Sequence, residues 1–351
     1  MKNNYHISTL EPFPNELFME LFEYFNSYTI YFSFFGINRR INAIIKYCPL
    51  YGDLNEVTRK KFIQYCSQIL PMIDKKNLIS LKVTNSQYAR ALVYDDMIEK
   101  FSFIRSLVFK NVKILVIKQL FIKIPHIKQH LIFISIEHSG SKATYNHNEW
   151  PLIGLLISDQ MLSLKRLELK WFWPEFILPN VSTPSTIEYL TASDGWTVKQ
   201  LIQFLKYLPK LKRLITNIKE EKDGSDGEFE HILIVSRMLV YHLELRGSYY
   251  SSLYTIKCLF QCFSQLVVFW SGCTQNITVM HSSEWERLIS KYLPLLVKLY
   301  LHITLYGDSA SSLVVEDVLP KTDFWIKRKW SLEYIKFDDQ VYCIVKPYKT
   351  I

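Results

Sequence analysis

The chain has 351 residues, 49% of them apolar and 21% charged, so it can bury a sizeable core and is not a disordered tail. Its low glycine content, 10 residues, disfavours Gly-rich phosphate loops, collagen-like sequence and Gly-punctuated barrels. The 42 Lys and Arg against 33 Asp and Glu leave +9, a sign that admits nucleic acid, acidic membrane or an acidic partner without choosing among them.

The opening stretch MKNNYHISTLEPFPNELF has no apolar run behind a basic start, so no secretory signal is expected. The longest apolar candidate, Leu115 to Ile136, is broken by Lys118, Lys123, His126 and Lys128, and no membrane span is expected. Cys48, Cys66, Cys258, Cys262, Cys273 and Cys343 are too sparse for a disulfide scaffold. The expectation is an intracellular protein, cytoplasmic or nuclear, with reduced thiols. In that setting the triplets Asn180-Val181-Ser182 and Asn276-Ile277-Thr278 are chance matches to a glycosylation signal.

Residues 1–50 read as a three-helix module. Pro14 suits a first helical turn, with Glu16 near the positive end of the helix. Leu17, Leu21, Tyr24 and Phe25 follow at the spacing of one buried face, and Phe18 and Phe22 form a second apolar stripe beside it. Asn26-Ser27 breaks the run, the Ser27 hydroxyl being a candidate cap for a short second helix carrying Ile30, Phe34 and Phe35. Gly36 ends that helix. A third helix is expected to turn Ile37, Ile41, Ala43, Ile44 and Ile45 inward and Arg39 and Arg40 outward. Two apolar stripes are more than so small a core needs: either the helices cap the rest of the chain, or one stripe meets a partner.

Phe13-Pro14-x-Glu16-Leu17, then Leu21-Phe22-x-Tyr24-Phe25, then Ile37-Asn38-Arg39-Arg40-Ile41-Asn42 resembles an F-box over roughly residues 10 to 48. It departs from the family pattern at Phe13, where Leu is usual, and at Ile41, where Trp is common. The resemblance implies docking of a Skp-family adaptor, and through it a cullin ubiquitin ligase, by Phe13, Pro14, Leu17, Phe18, Leu21, Phe22 and Ile41.

Residues 51–76 read as a helical linker, with Val57, Phe62, Tyr65, Ile69 and Leu70 inward, Arg59, Lys60 and Lys61 in water, and Pro71 ending or kinking the helix. From residue 77 to 351 a unit apolar-x-x-apolar-x-apolar recurs. Its middle residues are Leu81, Leu107, Ile134, Leu167, Leu190, Leu214, Leu243, Phe269, Leu299 and Ile335, separated by 23 (Leu167 to Leu190) to 36 residues (Leu299 to Ile335). Helical patterns lie between them, best at 197–211, 255–266 and 283–296; in the first, Val198, Leu201, Ile202, Leu205 and Leu208 share a face.

This pattern resembles a leucine-rich repeat. The fold class it implies is α/β: the F-box-like module followed by an irregular leucine-rich-repeat solenoid, with parallel strands on a concave face and helices on the convex one. The family's Asn, five places after the middle Leu, is missing; Ser86, Ser139, Ser248, Thr274 and Thr304 stand at half of these places and offer a hydroxyl ladder instead. An ordinary α/β domain with alternating helices and strands is the other reading.

No nucleotide loop, nucleophile elbow or His-Glu-x-x-His occurs, and neither an enzyme nor a cofactor or metal is expected. His126 and His130, with His138 and His147 downstream, read as structural or solvated, and Cys258 and Cys262 as buried thiols. The acidic run at 220–230 fails the calcium-loop pattern and reads as a surface loop. The lysines at 110, 113, 118, 123 and 128 read as a solvated face, with a recognition patch for an acidic partner as the alternative, and Trp171, Phe172 and Trp173 as core or as anchors for a partner. Four bases (Lys2, Arg39, Arg40, Lys46) balance four acids (Glu11, Glu16, Glu20, Glu23) in residues 1–50, so the whole excess charge lies beyond them.

The expected function is substrate recognition for a cullin-RING (SCF-type) ligase, with a protein target held on the repeats. An acidic protein surface is the first expectation for that target, with no nucleic acid and no membrane. The alternative is a repeat scaffold whose N-terminal helices only cap it.

Overall fold

The computed structural model describes residues 12–55, 57–94, 100–137, 150–158, 160–170, 184–219, 239–248, 253–274, 282–306, 322–337 and 340–347. The chain is mixed α/β and divides into two compact units, Met1–Ile134 and Ser135–Ile351. In each, the strands form an open, mostly parallel sheet.

The first unit begins with α1 (Asn15–Glu23), α2 (Ser27–Phe34) and α3 (Arg39–Tyr47). Pro14 caps α1 with extended backbone, one place earlier than a first-turn proline. Asn26, rather than Ser27, caps α2: its Oδ1 accepts from the Thr29 N–H at 2.8 Å, because the shorter Ser27 side chain is already inside the helix. The buried Ser27 hydroxyl instead meets the Tyr65 hydroxyl at 2.9 Å. Asn38 caps α3 in the same way, its Oδ1 accepting from Ile41. Gly36 has φ +89°, a left-handed turn that a Cβ would strain, and it separates α2 from α3.

The inward stripe of α1 is Phe18 and Phe22, not Leu17, Leu21 and Tyr24. Phe22 packs edge-on to Phe34 at 5.3 Å, and the Arg40 guanidinium covers the Phe18 ring. On α3, Ile41, Ile44 and Ile45 are buried as expected, but Ile37 is exposed, lying before the helix, and so is Ala43 on the outer face.

The linker contains a strand that the sequence reading lacks, β1 (Leu50–Asp53). It pairs in parallel with β2 (Leu78–Val83), and β2 with β3 (Ser106–Lys110). Gly52 allows this close packing, since a Cβ there would stand 2.9 Å from a Leu81 methyl. Between β1 and β2 run α4 (Arg59–Gln64), a π turn at Tyr65–Ile69 and a 3-10 turn at Leu70–Met72 with Pro71 at its start. Val57 is only half-buried because it precedes α4. α1 and α2 pack on β1, so the helical module, the linker and the first strands belong to one unit. α5 (Ser86–Tyr94) and α6 (Ile114–Lys123) lie side by side, followed by α7 (Ile127–His130) and β4 (Phe133–Glu137), which spans the boundary.

The second unit contains α8 (Trp150–Ile157), β5 (Arg166–Lys170), β6 (Tyr189–Trp196), α9 (Val198–Leu205), β7 (Arg213–Ile218), β8 (His242–Ser248), α10 (Leu253–Cys262), β9 (Val268–Thr274), α11 (Ser282–Tyr292) and β10 (Lys298–Tyr306). β5 to β10 pair in parallel in chain order. Leu167, Leu190, Leu214, Leu243, Phe269 and Leu299 lie in one register row and are all buried, as the repeat spacing predicts. α9 has a full capping box, Thr197 with Gln200, and buries Val198, Leu201, Ile202 and Leu205. α10 lies against both α9 and α11.

The unit centred on Ile335 does not continue this parallel array. β11 (Trp330–Phe337) follows a short helix, α12 (Asp323–Lys327), and pairs antiparallel with β12 (Gln340–Pro347), which itself lies antiparallel to β10. Only Asp338 and Asp339 separate the two strands, far too few residues for a parallel crossover. Trp325 and Trp330 are buried with their rings 5.7 Å apart, and the Trp330 indole N–H donates to the Val297 carbonyl at 2.9 Å.

Successive strands are joined at their entry points by main-chain bonds. The Lys165 carbonyl accepts from both Glu188 and Tyr189, that of Glu188 from Lys212 and Arg213, that of Lys212 from Tyr241 and His242, and that of Tyr241 from Val267 and Val268. The Val267 carbonyl accepts from Val297 and Lys298. In the first unit the Arg105 carbonyl accepts from Ile132 and Phe133. Of the Ser and Thr residues expected to form a hydroxyl ladder, Ser86 does bridge to the next segment, accepting from Lys113 N–H and donating to the Asn111 carbonyl. Ser139 and the side chains of Ser248, Thr274 and Thr304 lie outside the description.

Candidate functional site

Two surfaces, one in each unit, stand out by exposure and charge. The first is apolar. Phe13 is 44% exposed, Leu17 43%, Leu21 37% and Tyr24 85%, and Pro14 is exposed beside them. Leu17, Leu21 and Tyr24 fall at i, i+4 and i+7, so they form one line along α1. Of the residues expected to dock an adaptor, Phe13, Pro14, Leu17 and Leu21 are therefore outside. Phe18, Phe22 and Ile41 are each no more than 2% exposed, which removes them from direct contact with a partner. They form the base that holds the exposed line. Arg40 fastens the entry to α1: it donates to the Phe13 carbonyl and, through Nε at 2.8 Å, to Asn15 Oδ1.

The second surface is the open face of the second unit's sheet. Strand side chains alternate, so the residues between the buried leucines stand on this face. A depression of about 370 Å³ is lined by Arg166, Glu168 and Lys170 of β5, Tyr189 and Thr191 of β6, Arg213 and Ile215 of β7, and Arg246 of β8. Glu168 takes the Arg166 guanidinium at 2.6 Å, with Lys170 at 3.8 Å. Glu244 takes Arg246 at 2.6 Å and Arg213 at 3.5 Å. Both carboxylates are 13% exposed, whereas the cationic side chains are 42% to 59% exposed, so the positive heads stand outermost. Arg213 Nε is buried and has no acceptor among the described residues. Beside Arg213, burial and then the guanidinium itself hold His242 below the usual imidazole range, with Glu244 opposing.

The sequence reading did not find this depression. Aligning the repeat units on their middle leucines would have shown it: Arg166 and Arg213 stand one place before, Lys170 and Arg246 three places after.

Protein-family models and curated proteins yield no match to this chain.

The remaining sequence-derived candidates fall as follows. His126 is exposed, and His130 stacks on Phe103 at 5.0 Å. No group of metal-ligating side chains gathers among the described residues. Cys258 and Cys262 are buried, and burial pushes the Cys262 thiol up to about 12, out of reach of ionisation. The five lysines are divided between β3, the N-cap of α6, α6 itself and α7. No helix among the described residues is long and apolar enough to cross a membrane. His138, His147, Trp171, Phe172, Trp173 and the 220–230 run lie outside the described residues.

Proposed function

We propose that the chain is the substrate-recognition adaptor of a cullin-RING ubiquitin ligase. Phe13, Pro14, Leu17 and Leu21 dock a Skp-family adaptor, and the open face of the second unit's sheet holds a protein target. The observation that carries the first half is the exposed apolar line on α1. Phe18, Phe22, Ile30 and Ile41 are buried while Leu17 and Leu21 are left in water, an exposure that a helical cap does not need. The F-box-like spacing of the same residues supports the choice of partner. The target-holding half draws on the chain-ordered parallel strands, which suit a leucine-rich-repeat-type solenoid, and on the functional groups aligned on their open face. The mechanism is tethering: holding target and ligase on one chain raises the effective concentration of the target's lysines.

The second reading, a scaffold whose helices only cap the sheet, draws support from the packing of α1 and α2 on β1 and from the buried Ser27–Tyr65 contact. One measurement separates the two. The full chain is co-expressed with a Skp-family adaptor and purified through it. Docking predicts a one-to-one complex that Leu17→Asp and Leu21→Asp abolish while the far-UV circular dichroism is retained. Absence of a wild-type complex, or a complex indifferent to both substitutions, leaves the scaffold reading.

A further inference from the structure

We propose that the depression on β5–β8 is a binding site for a single dianionic group of the phosphomonoester class. The charge balance comes first. Among the described residues, the lining Arg166, Lys170, Arg213 and Arg246 contribute four positive charges, Glu168 and the adjoining Glu244 two negative, and the difference is +2. A phosphomonoester carries close to −2 at neutral pH and presents three strong acceptor oxygens. A lone carboxylate would leave half of the excess charge unmet.

The geometry agrees. The cations stand on β5 on one side and on β7 and β8 on the other, while β6 between them presents only Tyr189 and Thr191. With strands about 4.8 Å apart, the two cationic walls are about 10 Å apart over a neutral floor. A volume of about 370 Å³ holds far more than one water at roughly 30 Å³, so a phosphate fits together with the group that bears it. Among the described residues the Arg213 side chain is incompletely satisfied. Its guanidinium finds Glu244 at a long 3.5 Å, and its buried Nε finds no acceptor among the described residues. A guanidinium with spare donors is suited to bidentate phosphate recognition.

The two carboxylates set the class of macromolecule. Glu168 and Glu244 would repel the flanking phosphates of a nucleic-acid backbone but not the neutral neighbours of one phosphorylated side chain. The proposal rests on the target-binding reading of this face only for the source of the anion; as a dianion site it stands on its own residues.

The test is calorimetric titration of the full chain with phenyl phosphate, with phenylacetate as the monoanion of similar size, with a phosphoserine peptide of neutral flanks and with a single-stranded RNA. The proposal expects one-to-one binding of phenyl phosphate and of the phosphopeptide, with phenylacetate at least about tenfold weaker. Arg213→Gln lowers phosphate affinity about tenfold, and Glu244→Gln, which releases both Arg213 and Arg246, raises it. Tighter binding of the peptide than of phenyl phosphate makes a protein the source; equal binding makes it a small phosphorylated molecule. No phenyl phosphate binding in the millimolar range overturns the site, as do affinities unmoved by both substitutions in folded protein. RNA binding that outcompetes phosphate with a many-charge salt dependence overturns it as well. Adaptor co-purification with Arg213→Gln is read in parallel: its retention keeps a failure here separate from a failure of docking.

Discussion

Leu17 and Phe18 are neighbours in the chain with opposite exposure, 43% and 2%. Substitutions at the two positions should therefore fail differently. Phe22→Ala, like Phe18→Ala, removes a core ring and is expected to destabilise the first unit by about 3–5 kcal/mol in denaturant titration. Leu17→Ala should change stability by about 0.5 kcal/mol or less, and any loss of adaptor binding there reports docking alone. His242 gives a pH dependence. Its folded pKa lies below its unfolded one, mainly through burial, so the unfolded chain takes the proton first. Stability is then full above the ordinary imidazole range of about 6.5 and declines as pH falls through it. In chemical denaturation at a series of pH values, His242→Gln should flatten that decline. An unchanged slope would show that burial does not hold this imidazole below its ordinary range.

At the scale of elements, the repeat unit was legible because a buried strand has few ways to satisfy its inward face. Leu167, Leu190, Leu214, Leu243 and Leu299 had to be apolar, and their spacing showed. α9 was legible for the same reason, with a Thr197–Gln200 box to mark its start. The burial of α1 was not, because its two stripes are both apolar and differ by one residue in phase; contacts with Phe34 and Arg40, distant in sequence, decided between them. Nor was β1 legible: four residues around Gly52 carry little pattern, and only their pairing with β2 makes them a strand. The depression escaped notice since each strand contributes one or two charges and the cluster exists only across β5 to β8. At the two units where the third apolar place fails, Thr216 and Ser271 stand buried instead. Among the described residues the Thr216 hydroxyl donates one long 3.5 Å bond, to the Asn217 carbonyl. Thr216→Val is therefore expected to stabilise the second unit by a few tenths of a kcal/mol to about 1 kcal/mol in denaturant titration.

At the scale of the whole molecule, neither end of the fold is independent of its neighbours. The N-terminal helices share their core with β1 and Tyr65, so a peptide of residues 12–48 should show little helix by circular dichroism, although the same residues are helical in the full chain. Within the second unit, β12 covers the hydrogen-bonding edge of β10. A chain stopped before β11 should present the β10 edge in place of the β11 edge that ends the sheet, and self-associate more than the full chain in light scattering.

The entry-point ladder bears on how such a chain can change over time. The carbonyls that join β5 to β10 belong to Lys165, Glu188, Lys212, Tyr241 and Val267, which include basic, acidic, aromatic and aliphatic residues. Every amino acid owns a carbonyl, so substitution at these places leaves the joints standing. The outward positions of the strands, such as those of Arg166, Arg213 and Arg246, are likewise exempt from the core. Mutation can then rewrite the recognition surface one residue at a time on a constant frame, and lineages sharing this frame would lose sequence likeness long before they lost the fold.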